Sequence, residues 1–267
     1  MNSSAWLTDP RLPDLLAQAD LVVEGRLADA SNATLRCEVA GEPELLCVYK
    51  PVSGERPLWD FPEWTLTHRE LAAYALSEAA GWNIVPPTYW RDDGPAGSGM
   101  CQLWIDEVPQ DGKVAVVRPR QRPEGWLHVF DAEDGSGRPL QLVHADDPTL
   151  QAMTAFDAIV NNADRKGGHV LTDTSGRVWG IDHGVTFAAE EKLRTVLWGW
   201  AGDPLPDWLI EDVDRLHDVL GASFDPVDRW LATHEREELR RRVRALLDSE
   251  AFPLPPVRWP AVPWPVF

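Results

Sequence analysis

One stretch limits the folds open to this chain more than any other. It is Asp157-Ala158-Ile159-Val160-Asn161-Asn162-Ala163-Asp164-Arg165-Lys166-Gly167-Gly168-His169-Val170-Leu171, followed by Gly180-Ile181-Asp182-His183-Gly184. Upstream, Asp147-Pro148 marks a helix start with Pro148 at the first helical position, and Leu150, Met153, Phe156 and Ile159 step along one face. That apolar helix ends in a polar loop carrying Asp164, Arg165 and His169. A short apolar piece follows, and a hydrophobic segment then delivers Asp182 into a glycine-bounded turn. The fold must therefore present two acidic groups beside a hairpin-like connection. Such a pair suits phosphoryl transfer, in which one carboxylate orients a hydroxyl nucleophile and the other holds Mg²⁺ on the phosphates.

Composition narrows the setting. At 267 residues the chain is one domain or two lobes sharing a cleft, and 44% apolar residues suffice for a sizeable core. A formal net charge of −18 argues against general nucleic-acid binding and against docking on anionic lipid. Two basic clusters run against this trend, Arg118-Pro119-Arg120-Gln121-Arg122 and Arg240-Arg241-Arg242-Val243-Arg244. The second lies in a Glu-rich helical stretch and reads as a solvated face. Cys37, Cys47 and Cys101 lack metal-ligand spacing, and no apolar run approaches the ~20 residues that span a bilayer. With no signal-peptide pattern at the start, the expected location is the cytoplasm.

The first third of the chain reads as a small antiparallel sheet with one helix. A short helix around Leu12, Leu15 and Leu16 precedes strand-like runs at Leu21–Leu27, Leu35–Val39 and Leu45–Tyr49. The turn Ala30-Ser31-Asn32-Ala33-Thr34 separates the first two runs, Gly41-Glu42-Pro43 the next two, and Lys50 ends the third. Residues 51–66 form an aromatic, proline-bearing loop, either a plain connection or a lid. Thr67-His68-Arg69-Glu70 opens a helix running to Ala80 and stopped by Gly81. Thr67 and Glu70 have capping-box spacing, so Glu70 either closes on the Thr67 backbone or reaches Lys50. Strands follow at 83–90 and 100–105. Residues 107–147 are expected to hold local strands or a functional loop, because a long structureless connection is uncommon. Beyond Gly184, helices are expected over Leu205–Leu220 and Val227–Leu247. The Pro-rich segment 252–267 cannot be helical; it either wraps the protein or offers Trp259 and Trp264 to a partner.

Residues 157–187, with Lys50 and Glu70 upstream in the right order, resemble the catalytic and metal loops of atypical kinases of the phosphatidylinositol 3-/4-kinase-like and HipA-type groups. Those families carry Asp-Arg-His-x-x-Asn and then Ile-Asp-Phe-Gly or a relative of it. The resemblance covers roughly residues 20–190. It implies an α+β, bilobal protein-kinase-like fold: residues 1–106 as a nucleotide-covering sheet lobe with one helix, and 107–267 as a larger, mainly helical lobe. It further implies ATP with Mg²⁺ or Mn²⁺ as cofactors, and a hydroxyl of a protein, of a small molecule or of the enzyme itself as acceptor. Asp164 would act on that hydroxyl, with Arg165 bracing the loop. Lys50, paired with Glu70, would meet the phosphates beneath Ser31 and Asn32, and backbone groups around Trp104 to Asp106 would meet the adenine. Asp182 would bind the metal.

Two positions depart from the pattern. Lys166 stands where the family often has His, and His169 where it has Asn, five residues after Asp164. Imidazole nitrogen suits Mg²⁺ less well than an amide oxygen, so His169 shifts the expected metal toward Mn²⁺. Three readings follow: an atypical kinase, an ATP-binding pseudokinase that acts as a switch, and a metal-dependent phosphohydrolase built on Asp164, His169, Asp182 and His183. The third leaves Lys50 without a role.

Overall fold

Alternation builds the first sheet. In the computed structural model, which describes residues 3–27, 32–221, 223–257 and 260–267, helices α1 (Ser3–Trp6) and α2 (Leu12–Gln18) precede strands β1 (Leu21–Arg26), β2 (Leu35–Val39) and β3 (Glu42–Pro51). Gly41, at φ 86°, makes the tight turn between β2 and β3. The turn is one residue earlier than the sequence suggests, and β3 already includes Glu42 and Pro43. Helix α3 (Leu66–Ala79) follows, then β4 (Thr88–Arg91) and β5 (Gly99–Leu103). The five strands are antiparallel in the order β1-β2-β3-β5-β4. Ser31 and Trp259 lie outside the described residues.

Along β3, Leu45, Cys47 and Tyr49 are buried on one face, where they join Cys37, Cys101 and Leu103 beneath Leu12 and Leu16 of α2. All three cysteines are thus free and buried in an apolar layer. The opposite face carries Lys50. Helix α3 is buried almost all round, so it is a core helix, not a surface one. Its first N–H groups are capped from outside: the Glu55 carboxylate accepts from Leu66 N at 3.1 Å and from Thr67 N at 2.8 Å. The Thr67/Glu70 capping box therefore does not form, and Glu70 is released for other work.

Residues 107–147 hold a second, three-stranded sheet in the order β6-β8-β7, from β6 (Val114–Val117), β7 (Trp126–Glu133) and β8 (Pro139–Ala145). It leads into α4 (Pro148–Val160), whose N-cap Asp147 accepts from Thr149 N. Nearly every face of α4 is apolar and buried, and the main core forms around it with α5 (Asp207–Leu220) and α7 (Thr233–Ser249). A break at residues 229–232 divides the expected final helix into α6 (Asp225–Asp228) and α7. The Arg240–Arg244 cluster on α7 is a solvated face only in part: Arg241 and Arg244 are exposed. Arg242 is buried and donates to Ile159 O and Ala188 O, while Arg240 pairs with Asp228 and Arg241 with Glu238. Among the described residues no helix is long and apolar enough to cross a membrane.

Candidate active site

Helix α4 ends where Asn161 enters the left-handed region at φ 53°, a conformation asparagine tolerates. Its side chain fixes the exit: the amide nitrogen donates to Ala188 O and Glu190 O, and the amide oxygen accepts from Lys192 N. The chain then forms the loop 162–169, the hairpin of β9 (Val170–Thr172) and β10 (Val178–Gly180), and the turn holding Asp182. Asp173 makes the hairpin turn by accepting from Ser175 N at 2.8 Å and Arg177 N at 3.1 Å. Ile181 N donates back to His169 O, so the two candidate loops are tied directly.

Three elements meet at Lys50. Its ammonium lies 2.5 Å from Glu70 Oε1 and 2.8 Å from Asp182 Oδ1. The other oxygen of Glu70 accepts from His183 N at 2.9 Å. Burial works to discharge the ammonium, but Asp182 and Glu70 outweigh it and hold Lys50 above the usual lysine range. Lys50 in turn holds the Asp182 carboxyl well below the usual carboxylate range against the effect of burial. For Glu70, burial wins over Lys50 and pushes the carboxyl upward. Asp182 sits at φ 59° with half of its side-chain surface open.

Arg165 is wholly buried and faces away from the open side of the loop. It forms a two-point pair with Asp157, Nε to Oδ2 at 3.0 Å and Nη2 to Oδ1 at 2.9 Å. It also donates to Ile181 O at 3.0 Å and meets His183 Nε2 at 2.7 Å. A guanidinium has no acceptor, so His183 Nε2 must accept and its proton resides on Nδ1, 3.9 Å from Glu70 Oε2. Burial, reinforced by Arg165, depresses the His183 pKa and keeps the ring neutral. Arg165 is therefore a strut between the two loops. Asn162 completes it, donating to Asp157 and accepting from Asp164 N.

Asp164 is on the open side, about a third exposed, with the Lys166 ammonium 3.2 Å from its Oδ2. His169 Nε2 lies 3.6 Å from Asp182 Oδ2, and burial holds the ring neutral despite that carboxylate. His169 Nδ1 is buried and finds no hydrogen-bond partner among the described residues.

The remaining candidates are more scattered. Asn32 Oδ1 accepts from Arg56 N, which ties the first turn to the loop after β3. Trp104 N donates to Leu46 O within the sheet, and the Arg36 guanidinium covers the Trp104 ring at 4.8 Å. That backbone N–H is consequently unavailable to an adenine edge. Asp106 is half-buried at the start of the link to the second sheet, where Val108 N reaches Thr172 O.

Sequence reasoning gave Lys166 no role beyond a departure from the family pattern. The signal was its place two residues after Asp164, which puts both side chains on the open side of the loop. It expected Arg165 to brace the loop but did not name Asp157 and His183 as its partners, because they come from separate elements.

No known family profile matches the chain. Among solved structures, hydra Fam20 with sugar aligns over 94% of each chain, with a TM-score of 0.56 and 13% identity. The Golgi casein kinase with Mn/ADP bound aligns over 91% of this chain and 76% of that one, with a TM-score of 0.50 and 12% identity. At such identities the likeness is one of fold: a protein-kinase-like arrangement of a sheet lobe with helices. Sequence likeness is far stronger to Protein Rv2133c of Mycobacterium tuberculosis, 49% identical over 264 residues that make up 95% of this chain and 94% of that protein. The chain belongs to the same family as Protein Rv2133c.

Proposed function

We propose that the protein is an ATP-dependent phosphotransferase of atypical-kinase type, moving the γ-phosphoryl group of ATP to a hydroxyl of a protein or small molecule. One observation carries this reading: a lysine on a sheet strand is held between a helix glutamate at 2.5 Å and the loop Asp182 at 2.8 Å. That constellation fixes a lysine ammonium on the sheet beside a half-open carboxylate, so that Lys50 can meet nucleotide phosphates while Asp182 takes their metal ion. The Golgi casein kinase, crystallised with Mn/ADP, supports nucleotide and metal use on this fold.

The residues present fit a divalent ion. Asp182 is anionic and half open, and His169 offers a neutral ring nitrogen beside it. Among the described residues no third acidic, histidine or cysteine side chain joins them in a group able to hold a metal alone. That suits Mg²⁺ or Mn²⁺, which keep waters and share substrate phosphates instead of filling an all-protein cage. When bound, the ion neutralises charge on the phosphates. Lys50 would hold the phosphates from the sheet side, and Lys166, paired with Asp164, would meet the γ-phosphoryl group. The Asp164 carboxylate accepts the acceptor hydroxyl's proton as its oxygen bonds to the γ-phosphorus. The bond from that phosphorus to the β–γ bridging oxygen breaks, and ADP leaves.

A nucleotide-binding switch is the second reading, favoured by the imidazole of His169 at a position where the resembling kinases have Asn. The phosphohydrolase reading loses its fourth member, since His183 is fully buried against Arg165. Radiolabel transfer from ATP separates the first two. Asp164→Asn should abolish transfer and keep ATP affinity, whereas Asp182→Asn should lose both. A parent protein that binds ATP yet labels neither itself, water nor a lysate component is a switch, not a kinase.

A further inference from the structure

The Pro- and Trp-rich segment wraps back onto the loop that carries Asp164, and we propose that residues 261–267 are a clip that fixes this loop, with Phe267 as a positioning residue. The clip grips twice. At one end, Ala261 O accepts from Thr195 N at 3.0 Å and from the Trp198 indole at 2.8 Å. Thr195 belongs to a short parallel bridge that runs beside Arg165: Arg165 N donates to Arg194 O and Val196 N to Arg165 O. At the other end, Val266 O accepts from Gly167 N at 2.7 Å. The Phe267 ring then lies directly over Gly167. A Cβ built there would collide with ring carbons Cε1 and Cζ, so a side chain at this position would push the ring off the loop.

Gly167 and Gly168 form the part of the loop that loses most conformational freedom on ordering and has no side chains of its own to pack. Asp164, three residues before, is restrained on its backbone by Asn162, and its carboxylate pairs with Lys166. External restraint at Gly167 therefore holds the middle of the loop, between Asp164 and the point where His169 O is tied to Ile181 N. Phe267 contributes little to the core, since half of its surface is exposed. Its contact with Gly167 is thus better suited to holding the loop than to holding the fold. Misplacement of a reacting group by about 1 Å is enough to cost roughly 100-fold in rate.

The positioning role rests on the phosphotransferase reading, but the clip itself does not, and the test keeps the two apart. Amide hydrogen exchange is measured on the parent, Phe267→Ala, Phe267→Tyr and Gly167→Ala. The expected result is faster exchange at residues 165–169 in Phe267→Ala and Gly167→Ala, parent-like exchange in Phe267→Tyr, and unchanged protection in α5 and α7. Unchanged exchange at 165–169 in both disruptive variants overturns the clip, whether or not the protein turns over ATP. In kinetic assays the disruptive variants should lose roughly 10- to 100-fold in kcat, with ATP affinity and Tm held, and Phe267→Tyr should restore the rate. Higher activity in Phe267→Ala, or parallel loss of Tm and ATP affinity, overturns the positioning role. An absence of ATP binding in the parent sinks the phosphotransferase reading alone.

Discussion

Arg69 is a residue away from the proposed site whose loss should cost the fold heavily for a single polar change. It sits on α3 beside Glu70 but points the other way, toward the second half of the chain. It is 1% exposed, and its guanidinium donates to Thr186 O at 2.5 Å and to Glu235 on α7. It also covers the Phe61 ring at 4.9 Å. Arg69→Met keeps most of the buried stem and deletes the charge. Thr186 O then loses a donor, and Glu235 keeps only Ala232 N, which it holds at 2.9 Å. Breaking a buried pair by removing one partner costs about 3–5 kcal/mol, because the other charge stays buried. For a chain of this size that is a fall in Tm of roughly 6–20 °C. Guanidinium unfolding of the parent, Arg69→Met, Glu235→Leu and the double variant gives the coupling directly. The double variant should recover at least half of the single-variant loss, since two apolar groups replace two charges. A loss under about 1 kcal/mol for Arg69→Met, or strictly additive losses, would refute the reasoning.

Three further outcomes are expected. His144 accepts from Gly199 N and donates to Ala145 O, and burial holds its folded pKa below 6.5. The unfolded chain therefore binds the extra proton first as pH falls below ~6.5, and stability drops by at most about 1.4 kcal/mol per pH unit from this group; denaturation at pH 7.5 and 5.5 should show a smaller difference in His144→Gln than in the parent. ATP should bind more tightly with Mn²⁺ than with Mg²⁺, and His169→Asn should restore the Mg²⁺ preference; equal responses to both metals in both proteins would rule out a ligand role for His169. Glu55→Ala should destabilise by about 1 kcal/mol through loss of the α3 cap, read by chemical denaturation, since the N–H groups of Leu66 and Thr67 and the Thr67 hydroxyl all lose their acceptor.

The sequence carried the local half of this structure well. Pro148, Asp147 and the apolar stepping through Ile159 mark α4 because capping and periodicity are properties of neighbouring residues. The β2–β3 hairpin and α3 are legible for the same reason. What escaped depends on partners far along the chain. Glu70 was ambiguous because a capping box and an ion pair look alike until Glu55 is seen taking the helix N-terminus. Arg242 looked solvated because its acceptors, Ile159 O and Ala188 O, are 83 and 54 residues away. The strut of Asp157, Arg165 and His183 joins three segments, and no spacing rule announces it. Residues 107–147 showed strand-like pieces but not their pairing, since the β6-β8-β7 order needs the register of each strand.

The central claim is that Lys50, Glu70 and Asp182 form a nucleotide-phosphate site, and thermal unfolding with ATP and Mn²⁺ addresses it most directly. A ligand at a hundredfold excess over its dissociation constant stabilises the native state by about 2.7 kcal/mol. The parent should show that rise, Asp164→Asn should keep it, and Lys50→Met should lose it while unfolding cooperatively. No rise in the parent with ATP and either Mn²⁺ or Mg²⁺, or an equal rise in Lys50→Met, would contradict the account.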